Sequence, residues 1–201
     1  MLLASGLSCN YAVTVAGRFP EICTSLVLIS PFELSGHMQS SRLLSALTQM
    51  PLLRFFLYPL LSTRFSLRYL LARQRSPHQG QVAVSDIDYF YAATHQFGAE
   101  HASLARMTGC LTIDASEPFD TLQQPTLVLW GARALDNERL ITNQPHLPPS
   151  TELALIQDAG LSVHEEYPAQ VVANILRWTE DGVPQAVHQA QKGRETLIST
   201  S

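Results

Sequence analysis

Apolar positions along this chain follow two different rhythms, and the places where the rhythm changes mark the predicted elements. Leu2 to Ala4 is apolar and ends in the small-residue turn Ser5-Gly6-Leu7-Ser8. Beyond it, Tyr11, Ala12, Val15 and Ala16 recur at helical spacing as far as Phe19-Pro20, so the opening reads as strand, sharp turn, helix. Ser25-Leu-Val-Leu-Ile-Ser30 is a continuous apolar and β-branched run closed by Pro31, the pattern of a parallel strand buried on both faces. From Ser40 to Gln74, and again from Val84 to Met107, the periodicity is helical, interrupted by prolines. Pro125-Thr-Leu-Val-Leu-Trp-Gly131 returns to the buried-strand pattern, and Glu152-Leu-Ala-Leu-Ile156 predicts another strand after a polar, proline-containing connection. Tyr167-Pro168 then leads into Val171, Val172, Ile175, Leu176 and Trp178, an amphipathic helix stopped near Gly182-Val-Pro184.

Strands alternating with helices predict an α/β fold, a three-layer α/β/α sandwich around a mostly parallel sheet. The 201 residues, 46% of them hydrophobic, suffice for one sizeable buried core. The expected layout is a core segment 1–36, an inserted helical cap 37–120, a second core segment 121–182 and a polar tail 183–201.

Composition narrows the function mainly by exclusion. The net charge is −4 and the basic residues are scattered, which argues against nucleic acid as a partner. Seven dispersed histidines and three cysteines show no tight ligand spacing, so no metal site is expected. No Gly-rich phosphate loop or dinucleotide fingerprint occurs, so no cofactor is expected either. Cys9, Cys23 and Cys110 form no disulfide framework, which suits a reducing compartment and makes the expected localisation cytoplasmic. The Met1 segment lacks the basic region of a signal peptide, and the most apolar stretch, Met50 to Leu61, falls short of the roughly 20 apolar residues that span a bilayer.

The turn Gly6-Leu7-Ser8-Cys9-Asn10 resembles the G-x-S-x-G nucleophile elbow of the α/β-hydrolase superfamily, with Asn10 in the place of the second glycine. Read without that resemblance, Ser8 is an N-cap of the following helix. The likeness extends in order along the chain. Arg18-Phe-Pro-Glu21 and Leu26-Val-Leu-Ile-Ser-Pro31 are similar to the family's helix after the elbow and its next strand. Pro125-Thr-Leu-Val-Leu-Trp-Gly131 is similar to the strand before the catalytic acid. Gly160-Leu-Ser-Val-His-Glu-Glu-Tyr-Pro168 resembles the late loop G-H-x-x-H-x-E-x-P that carries the catalytic histidine.

The resemblance implies a serine hydrolase of the cap-bearing kind acting on a small hydrophobic ester or amide, with Ser8 as candidate nucleophile and the backbone of Cys9 as an oxyanion donor. Carried over residue by residue, the acid falls on Ala134 and the histidine on Leu161, neither of which can perform the role. Asp136 and His164 are the nearest substitutes, each also readable as an ordinary loop or capping residue; His37 and His146 are more distant. Strands and the second oxyanion donor that the family places before the elbow have no counterpart in this sequence, which reads as a fragment or a late-starting chain. The apolar residues Leu52, Leu53, Phe55, Phe56 and Tyr58 suit a hydrophobic substrate or plain core. The alternative reading is a non-catalytic relative that uses the fold for binding.

Overall fold

Four short parallel strands build the core of the computed structural model. It describes residues 1–31, 58–74, 82–107, 109–134 and 147–181. In chain order the elements are β1 (Leu2–Ser5), α1 (Ser8–Arg18), β2 (Leu26–Ile29), α2 (Arg64–Gln74), α3 (Val84–Thr94), α4 (Ala99–Met107), α5 (Ser116–Asp120), β3 (Thr126–Gly131), β4 (Thr151–Ile156), α6 (Val163–Glu166) and α7 (Pro168–Asp181). The chain divides into two compact units, one of Met1–Gly36 with Asp114–Ser201, the other of His37–Ile113.

In the first unit the strands lie in the order β1-β2-β3-β4, every neighbouring pair parallel. Ser5 stands opposite Ile29, and Ile29 opposite Leu129, so the C-terminal ends of the first three strands form one rim. The two inner strands, β2 and β3, are buried at every position, which is why they read as unbroken apolar runs. Alternate residues serve opposite faces. Ala4, Leu26, Leu28 and Val128 join Cys9, Ala12, Val13 and Ala16 of α1 and Phe119 of α5 in one cluster. Val27, Ile29, Leu127, Leu129 and Ile156 join Val163 of α6 and Val171 and Trp178 of α7 in the other. The result is the expected three-layer α/β/α sandwich.

Small residues let these layers approach closely. A Cβ on Gly17 of α1 would stand 3.3 Å from Cβ of Pro118, the contact that fixes α5 against α1. Expected within the helical insertion 37–120, α5 therefore packs into the sheet-bearing unit. Gly131, the last residue of β3, is under a harder constraint: a Cβ there would press into the carbonyl oxygen of Gly160 and stand 2.5 Å from that of Ala159.

The second unit is helical among the described residues. The stretch Val84 to Met107 forms two helices separated by a turn at Gly98, whose φ of 79° is open to glycine. Leu71, Val82 and Ile87 make its buried cluster. Arg64 pairs with Asp88 and lies 4.6 Å from the ring centroid of Tyr91, which stacks on His95. Tyr58 donates its hydroxyl proton to the carbonyl of Thr94 at 2.6 Å. Of the apolar residues expected to line a cap, Leu52, Leu53, Phe55 and Phe56 lie outside the described residues, as do His37, Asp136, His146 and the tail 183–201.

Candidate functional site

In open parallel α/β sheets the ligand crevice lies beyond the carboxyl ends of the strands. Here that rim is formed by the turn after β1, the end of β2, the turn after β3 and the loop between β4 and α7.

The turn after β1 corrects the reading of Ser8. An elbow nucleophile occupies the sharp strand-to-helix turn in a strained backbone conformation. The residue with that conformation is Gly6, at φ 58°, whereas Leu7 is already right-handed helical and Ser8 is the first residue of α1. Ser8 is exposed and points from an ordinary helical position. Its side chain makes no capping hydrogen bond either, since the cap position is Leu7. Moving the elbow frame back by two residues gives Ala4-Ser5-Gly6-Leu7-Ser8, in which small residues flank Gly6 at the required spacing. The turn is thus shaped like an elbow and holds no hydroxyl at its apex.

Two further assignments fall with the shift. Cys9 donates its amide hydrogen to the carbonyl of Gly6 at 3.2 Å, so that group is engaged within the first turn of α1. The oxyanion role expected of Cys9 has no free donor. Its thiol is fully buried beside the Ile29 carbonyl, and burial pushes its pKa from 9.0 up to about 12, so it is not a nucleophile in reserve. Burial also raises the Cys23 pKa; of the three free thiols, only Cys110 is exposed. Asn10, read as the second glycine's substitute, is a fully buried residue of α1.

At the end of β2, Ser30 is left-handed at φ 45°, and its buried hydroxyl has no hydrogen-bond partner among the described residues. The indole nitrogen of Trp130, next to it across β3, is likewise buried without a partner. Ser30 thus combines backbone strain with an orphaned hydroxyl at this rim, a combination found at sites built for ligands.

The late loop is held against the end of β3 by a carboxylate grip and backbone hydrogen bonds. The carboxylate of Glu166, 8% exposed, accepts the amide hydrogen of Gly160 with both oxygens, at 3.2 and 3.1 Å. Gly131 gives the loop room to approach, the amide of Ala132 donates to Ile156 and that of Arg133 donates to Ala159. Arg133 and Asp158 add an exposed ion pair at 3.1 Å, a minor contribution to holding the loop in water. On this frame Ala134 is buried and aliphatic where an acid was expected, and Leu161 is half-buried where the histidine was expected.

His164 is brought to the rim, to a different serine from the one expected. Its Nδ1 lies 3.3 Å from the hydroxyl oxygen of Ser5, the residue before Gly6. Sequence reading passed over Ser5 because it ends the strand pattern. The shifted small-x-x-x-small frame was the available signal.

A scan against protein-family models finds no match, and no curated protein matches the chain. Solved structures do match. A serine hydrolase involved in carbazole degradation, the CarC enzyme, superposes with a TM-score of 0.65 at 14% identity, covering 89% of this chain and 62% of that one. A bacterial membrane phospholipase A gives a TM-score of 0.65 at 20% identity, covering 90% of this chain and 56% of that one. MGS-M2, an α/β hydrolase from a Medee basin deep-sea metagenome library, gives 0.62 at 14% identity, covering 89% and 64%. The chain therefore has the α/β-hydrolase fold and spans about three-fifths of the length of these structures.

Proposed function

We propose that this protein is a non-hydrolytic member of the α/β-hydrolase fold that binds a small hydrophobic ligand of ester or amide type at the C-terminal rim of its sheet. The observation that carries the reading is the left-handed apex of the elbow at Gly6, with Ser8 displaced into α1. No hydroxyl stands where the fold presents its nucleophile. With Ala134 and Leu161 where the resemblance puts the acid and the histidine, the family's triad is not assembled on this frame, a loss of about a millionfold in rate where such a triad has been dismantled. What remains is a rim with a strained serine, two buried polar atoms without a partner among the described residues and a loop hydrogen-bonded against β3. The three free thiols fit a cytoplasmic setting. Among the described residues no helix is long and apolar enough to cross a membrane.

The test pairs turnover with binding. The folded protein and its Ser8→Ala variant should both leave a short-chain aryl ester at the buffer rate under steady-state conditions, while an uncleavable aryl alkyl ketone of the same size binds saturably by calorimetry. Sustained turnover that disappears with Ser8→Ala would establish the serine-hydrolase reading instead, the one that the matched serine hydrolase favours.

A further inference from the structure

Gly6 removes the hydroxyl from the apex of the turn, but the residue just before it restores one beside a base. Ser5 closes β1, half-buried, and His164 stands exposed on α6, 159 residues away in sequence. Their 3.3 Å contact brings together a hydroxyl and a ring nitrogen within reach of solvent. The imidazole is held from both sides of its own short helix. Val163 is fully buried in the sheet cluster, and Glu166 grips the Gly160 amide with both carboxylate oxygens. A serine hydroxyl becomes a competent nucleophile when a positioned base accepts its proton.

We propose that Ser5 is a covalent acyl acceptor with His164 as its general base, and that it takes one acyl group from an activated ester without completing a catalytic cycle. The assignment rests on the ligand reading of the same rim. Ser5 Oγ attacks the carbonyl carbon and its proton passes to His164 Nδ1. The carbonyl carbon to aryl-oxygen bond then breaks, and the departing aryloxide takes the proton from the imidazolium, which returns His164 to the neutral imidazole. The product is an ester of Ser5 and a free phenol. An aryloxide is stable enough to leave without an acid behind it. The acyl-serine is an alkyl ester whose alkoxide is a far poorer leaving group than an aryloxide, so its hydrolysis is slower than its formation even with His164 beside it. Acylation therefore outruns deacylation and the reaction stops near one equivalent.

The experiment uses 4-nitrophenyl acetate on the full chain, with intact mass and fragmentation of the N-terminal peptide to place the acetyl group. The parent and Ser8→Ala should each take up one acetyl on Ser5, Ser5→Ala should take up none there, Ser5→Cys should regain it, and His164→Gln should acylate about a hundredfold more slowly or worse. Circular dichroism of each variant checks that it is folded. Acetyl on Ser8 or on the Met1 amine alone, or none at all while the aryl alkyl ketone still binds the parent, would overturn the Ser5 assignment and leave the ligand reading standing. Failure of the ketone to bind, or multiple turnovers per chain, would overturn the ligand reading itself.

Discussion

The turn after β1 and the loop between β4 and α7 face each other across one sheet rim, and they are held in place by different means. The turn depends on backbone freedom: Gly6 adopts φ 58°, none of the described residues lies within 4 Å of where its Cβ would be, and no side chain caps α1. The late loop depends on fit. It needs the missing side chain of Gly131, the two-oxygen grip of Glu166 on Gly160 and the backbone bonds of Ala132 and Arg133. Both places keep the backbone shape of the fold, with Gly6 at the apex of the turn and Ala134 and Leu161 on the frame of the late loop. Shape and chemistry are separable because the first is enforced by packing and buried hydrogen bonds, whereas the second rests on a few side chains that the fold does not need.

The comparison predicts that the late loop is the more easily broken of the two. Gly131→Ala should have the largest effect, roughly 3 kcal/mol of destabilisation by urea unfolding, because the new methyl meets rigid carbonyls rather than a side chain that can swing away. A near-parental midpoint would mean that the loop can lift from β3 without loss. Glu166→Ala should come next at about 1–3 kcal/mol, since it leaves the buried Gly160 amide without its acceptor. Hydrogen exchange at Gly160 should accelerate while exchange in β2 and β3 is unchanged. The smallest effect belongs to the turn: Gly6→Ala costs about 1–2 kcal/mol of left-handed strain and meets no steric obstacle. If Gly6→Ala proved as costly as Gly131→Ala, the turn would be under a packing constraint that the structure does not contain.

Ser30 sharpens the contrast. It makes a left-handed turn beside Gly6 with a residue that resists it, and buries a hydroxyl with no partner among the described residues. Strain of this kind is tolerated where the surroundings over-determine the backbone, and here the Ser30 amide donates a hydrogen bond to the carbonyl of Leu129 at 2.8 Å.

Much of the core was legible from the apolar pattern. The unbroken runs ending at Ile29 and Gly131 are the two strands buried on both faces, and the spacing of Val171, Ile175 and Trp178 places one side of α7 against the sheet. Gly98 was the unread punctuation that splits the long helical stretch into α3 and α4. The site was harder to read. Ser8 matched a one-line motif, yet a motif of small residues is compatible with two frames that differ by two positions, and only φ distinguishes them.

By itself, then, the sequence determined the layers: which segments are strands, which helices, and that a sharp turn follows the first strand, because burial and periodicity are local properties of the chain. Only the tertiary structure decided which residue sits at the apex of that turn and which serine His164 meets. Those depend on backbone torsion and on an approach between residues 159 positions apart, and no spacing along the chain encodes either.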